Sequence, residues 1–154
     1  MTGTALFRST RAVPRPVALA AAAFVVALLA GVAEALARAA MTLDRPDADV
    51  SGLALESAVR GAIYLVVFTV VVRMTRGGRI ARLALALGLG VLGLASLLVE
   101  PLTTLAADGL DLSVTASSLT LGTLRAIHVL AVLVAIPAMY APGAREYFAR
   151  RATP

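Results

Sequence analysis

Four long apolar runs separated by short polar segments set the plan of this chain. They cover about residues 17–40, 56–74, 83–99 and 119–140, each within the roughly 17–25 residues that a helix needs to cross a hydrocarbon core of about 30 Å. The valines and aromatic residues between 61 and 72 do not argue for a strand, because an isolated strand leaves its backbone groups unsatisfied in lipid and a helix does not. The pattern predicts an all-α fold: a four-helix transmembrane bundle.

The polar segments agree with that plan. Residues 1–16 form a basic tail with Arg8, Arg11 and Arg15, closed by Pro14 and Pro16, which suit a helix start. Residues 41–55 carry Asp44, Arg45, Pro46, Asp47 and Asp49 and read as an acidic loop, while Arg73, Arg76, Arg79 and Arg82 bracket a Gly77-Gly78 turn. The third run is broken by Gly88, Gly90 and Gly93 and ends at Glu100-Pro101; residues 102–118 then hold Asp108 and Asp111 and no basic residue. Pro142-Gly143 is expected to end the fourth span, leaving residues 141–154 as a second basic tail.

Charge orients the bundle. The two tails and the middle loop hold ten arginines against one acid, Glu146, whereas the rest of the chain holds four arginines against eight acids. Positive loops stay in the cytoplasm, so both termini are expected inside. The basic start followed by an apolar run and small residues near Ala37 also imitates a secretory signal, but the stretch from Val17 to Val32 exceeds the usual apolar region of about 7–15 residues. The first run is read as a retained span.

Composition fits a lipid solvent. Of 154 residues 60% are hydrophobic and 15% charged, with a mean hydropathy of +0.90, beyond the roughly 45–50% apolar content of soluble domains. The net charge of +5 and pI near 11.0 follow from the membrane-flanking arginines, so nucleic acid is not an expected partner; the bilayer is. With no cysteine there is no disulfide, thiolate ligand or thiol redox chemistry.

The chemistry that remains is a charged layer. Glu34 and Arg38 stand four apart on the first helix, Glu56 and Arg60 four apart on the second, Arg125 and His128 three apart on the fourth, and Glu100 closes the third. All fall in the outer leaflet or its interface, with Arg60 and His128 roughly 10 Å inside by the helical rise. Small residues accompany them: Ala20, Ala27 and Gly31 with Glu34 and Arg38; Ala86, Gly93 and Ser96 with Glu100; Ala131, Ala135 and Ala138 with His128. Small and ionisable residues both seek the interior of a membrane bundle, so the charges are expected to converge there. The outcome is either an ion-paired lock or a polar site for an anionic headgroup, an ion or a small polar ligand.

Other chemistries lack their residues. One histidine makes neither a zinc site nor a bis-histidine haem, so no metal and no cofactor is expected. Gly88-x-Gly90-x-x-Gly93 has the spacing of a dinucleotide fingerprint but follows no strand, and helix packing accounts for it. The basic tail, Glu100-Pro101, Arg125-x-x-His128, and Tyr140-x-Pro142-Gly143 ahead of Tyr147-Phe148 together resemble uncharacterised small four-span membrane proteins of high-GC Gram-positive bacteria. That resemblance implies a cell-membrane location and no activity.

The function expected is a non-enzymatic accessory, interaction or ligand-binding bundle, with a homo-oligomer or a membrane-protein partner in keeping with so small a chain. A transporter or channel subunit with Glu34, Arg60, Arg125 and His128 along its path is the first alternative. A membrane enzyme acting on lipid or quinone, with His128 as acid/base, is the second.

Overall fold

The computed structural model describes residues 13–93, 95 and 115–150, and among these the secondary structure is helical throughout. Helix α1 spans Arg15–Leu43, α2 spans Val50–Thr75, and α3 spans Arg79–Leu85 and runs on as a π-helical segment over Ala86–Gly93. Helix α4 spans Ala116–Tyr140 and α5 spans Pro142–Arg150. Helices α1, α2 and α4 are each long and apolar enough to cross a membrane. The rest of the third apolar run after Gly93, apart from Ala95, lies outside the described residues, as do Glu100-Pro101 and Asp108 and Asp111.

Local chemistry explains most helix ends. Asp49 caps α2, its carboxylate accepting from the Gly52 amide at 3.0 Å and the Ser51 hydroxyl at 2.6 Å. The helix therefore starts at Val50, inside the stretch expected to be loop. The three residues Met41, Thr42 and Leu43 likewise belong to α1. At the other end of α2 the Gly77 amide donates to the Met74 carbonyl and the Gly78 amide to the Arg73 carbonyl, with Gly77 at φ 92°. That is a Schellman termination, and it needs a residue at ease in the left-handed region. Thr115 and Ser118 form a reciprocal capping box at the start of α4.

One expectation is corrected at the C-terminal side. Pro142 does not simply end the fourth span: it opens α5, a position where its fixed φ suits the first turn and its missing N–H costs nothing. Helix α5 packs back on the bundle through Ala144 and Phe148, both buried.

Helix α1 is the hub. Its most extensive contact is with α4, followed by α2, and it also touches α5. The main core sits where α1 begins, α2 and α4 end, and α3 and α5 meet them: Phe24, Met74, Met139 and Phe148 are fully buried there among small residues. A smaller cluster of Ala27, Ala131 and Val132 continues it along the α1–α4 seam. The stripe read from the sequence on α1 is buried at Ala20, Ala27, Gly31 and Glu34. On α4, Ala131 and Ala135 are buried too. Leu19, Leu29, Leu36, Leu65 and Leu130 are more than half exposed, an apolar exterior of the kind lipid covers and water does not favour.

Candidate functional site

The site lies at the end of the bundle that carries the α1–α2 connection. Glu34 is the buried acid of α1, 8% exposed, because it continues the small-residue seam that α4 packs against. Arg38, one turn later, donates to Glu34 Oε1 from Nη2 at 3.0 Å and from Nε at 3.3 Å. Arg125 of α4 donates to that same oxygen from Nη2 at 3.0 Å. Two guanidiniums thus share one carboxylate, one from its own helix and one from the facing helix.

His128 follows Arg125 by about one turn and sits partly buried, with its Nδ1 close to Gly31 of α1. Tyr64 of α2 donates its hydroxyl to the Gly31 carbonyl at 2.9 Å. Gly31 is where the three helices close in: a Cβ there would lie 3.3 Å from Tyr64 Oη and 3.5 Å from His128 Nδ1. The glycine lets α2 and α4 approach α1 at one level.

Of the expected layer, Glu34, Arg38, Arg125 and His128 come together. Glu56 and Arg60 form a pair along α2 at 2.7 Å, with both side chains about half exposed, and do not reach the Glu34 cluster. Glu100 lies outside the described residues. Tyr64 and Arg45 were not singled out in the sequence. Tyr64 stands four residues after Arg60 on the same face of α2, and that spacing was the available signal.

Two adjoining hollows flank α1 and α2 here. The first is a groove of about 510 Å³ with an almost wholly apolar wall, including Leu28, Val32, Leu36, Leu65 and Phe68. The second is a polar pocket of about 330 Å³ at the loop end, lined by Arg38, Arg45, Glu56, Ser57 and Arg60. Ala35, Ala39, Ser57 and Arg60 line both. Chemically the polar pocket offers guanidiniums, which stay charged and donate in a fixed planar fork. Among the described residues no group of three His, Asp or Glu side chains is placed to hold a metal ion.

The opposite end is built from arginines of another use. Arg79 donates to the carbonyls of Phe148 at 3.2 Å and Ala149 at 3.4 Å, and Arg145 to that of Tyr140 at 2.8 Å. Arg82 lies over the rings of Tyr140 and Phe148, 4.8 and 4.9 Å from their centroids. These cations serve helix C-termini and aromatic faces. In comparisons by sequence and by fold, no family model, no curated protein and no solved structure matches this chain.

Proposed function

We propose that this chain is a small non-enzymatic multi-pass protein of the cell membrane, a ligand-binding or accessory bundle whose charged layer lies in the outer leaflet and holds an anionic ligand. The carrying observation is the sharing of Glu34 by Arg38 and Arg125 beside a pocket lined by further arginines. The exposed Arg45 lines that pocket together with Arg60, and guanidinium donors of this kind suit an anionic ligand.

Four spans with both termini cytoplasmic agree with where the basic segments gather. Arg79 meets Phe148, and Pro16 lies against Gly143, so the start of α1, the α2–α3 turn and α5 share one end of the bundle. The chain has no cysteine, so single-cysteine variants test the orientation cleanly: Asp47→Cys should react with an impermeant maleimide on intact cells and Ile80→Cys should not.

Native mass spectrometry of the detergent-purified protein tests the binding reading. The wild type should carry an anionic species that the Arg125→Ala/His128→Ala double variant loses while its helical circular dichroism persists. A protein bare in both forms would overturn the reading and leave the cluster as a helix lock.

A further inference from the structure

We propose that the two adjoining hollows between α1 and α2 form one amphiphile site, and that its occupant is an anionic phospholipid with an acyl chain in the groove and its phosphate among Arg38, Arg45 and Arg60. The proposal rests on the anion-binding reading above and names its ligand class.

The shape carries the first half. The groove runs from Ser57 to Phe68 along α2, about 16 Å by the helical rise, and its wall is leucine, valine, alanine and phenylalanine. Alanine at 35 and 39 and Gly61 on the facing helix leave the hollow; a Cβ at Gly61 would meet nothing within 4 Å. A slot of that length and polarity takes a hydrocarbon chain.

Charge carries the second half. The polar pocket adjoins the groove at the loop end, where an interfacial headgroup would lie, and among the described residues it is lined by the guanidiniums of Arg38, Arg45 and Arg60 and the carboxylate of Glu56. Glu56 already pairs with Arg60, and Glu34 with Arg38. The Arg45 side chain makes no hydrogen bond or ion pair among the described residues, and the residue is exposed beside the pocket. Arginines clustered next to an apolar membrane surface recognise anionic headgroups, and guanidinium matches a phosphate oxygen pair in a bidentate way. Arg60 lines both hollows and marks the level at which tail gives way to head.

Lipid titration followed by native mass spectrometry tests this, with dioleoyl-phosphatidylglycerol against dioleoyl-phosphatidylcholine as probes and glycerol phosphate as competitor. The wild type should bind the anionic lipid at least tenfold tighter. Arg45→Gln/Arg60→Gln should bring the two lipids to within about twofold of each other, and Gly61→Leu, which fills the groove, should weaken both. Gly122→Leu is the control: a Cβ there also meets open space, but away from the groove, and binding should not change. Equal affinity for the two lipids in the wild type, an unaffected Gly61→Leu variant, or full displacement by glycerol phosphate would each overturn the lipid assignment. A non-lipid anion retained by the wild type and lost in Arg125→Ala/His128→Ala would sink the groove proposal alone; no bound anion of any kind would sink both.

Discussion

The two ends of the bundle use arginine in opposite ways. At the end where α1 begins, the guanidiniums of Arg79, Arg82 and Arg145 meet carbonyls and aromatic rings, partners that carry no net charge, over a core of large buried side chains. At the α1–α2 end, Arg38 and Arg125 meet a carboxylate, and the packing gives way to hollows. One end is closed by packing and carbonyl capping. The other is held by charge and left open, which is the arrangement a binding site requires.

Removing the charge at the open end should show the contrast most strongly. Glu34→Ala leaves Arg38 and Arg125 facing each other without their shared acceptor, and the loss of a buried partner costs about 3–5 kcal/mol, readable as a lowered unfolding midpoint in detergent. Phe148→Ala at the closed end should cost a similar amount, about 3–5 kcal/mol, through cavity formation, but with lipid binding unchanged. If Phe148→Ala abolished binding and Glu34→Ala did not, the division of labour between the ends would be reversed.

Gly31→Leu comes next. Its side chain would enter the space of Tyr64 and His128, and overpacking of this kind costs about 1–3 kcal/mol and should part the helices at the open end. Gly77→Ala strains a left-handed position in the closed end by about 1–2 kcal/mol, and a stability measurement should find no effect on binding. Glu56→Gln removes a half-exposed pair along one helix and should change stability by no more than about 0.5 kcal/mol.

Asp49 gives the smallest effect and a pH dependence. The Gly52 amide, then the Ser51 hydroxyl, hold its carboxyl below the ordinary range. A lowered folded-state pKa contributes stability that is fully present above the ordinary carboxylate value of about 3.9 and is lost as pH falls through the lowered one. The unfolding midpoint of the wild type should therefore fall relative to Asp49→Asn only at acid pH, and parallel curves would exclude the cap as the cause.

The three long apolar helices α1, α2 and α4 were legible because a helix satisfies its own backbone groups wherever water is scarce, so long apolar runs announce themselves. Glu34–Arg38 and Glu56–Arg60 were legible because pairs four apart meet on any helix. That Glu34 also takes Arg125 was not, since periodicity assigns a residue to a face and not to a partner on another helix. The start of α2 was misplaced because acidic composition suggested loop, although an aspartate followed by serine and glycine is a capping signal. Helix α5 was missed for a related reason: Pro142 both ends one helix and begins another. The glycines at 88, 90 and 93 proved to lie in the π-helical segment, where a Cβ at Gly90 would press on Ile136.

The two donors of Glu34 also differ in when they become available. For a chain that enters a bilayer as it is synthesised, at about 5–20 residues per second, Arg125 emerges 91 residues after Glu34, a delay of roughly 5–18 s. Arg38 follows at once on the same helix and neutralises the acid through that interval. The intrahelical bond needs α1 alone; the interhelical bond needs α4 as well.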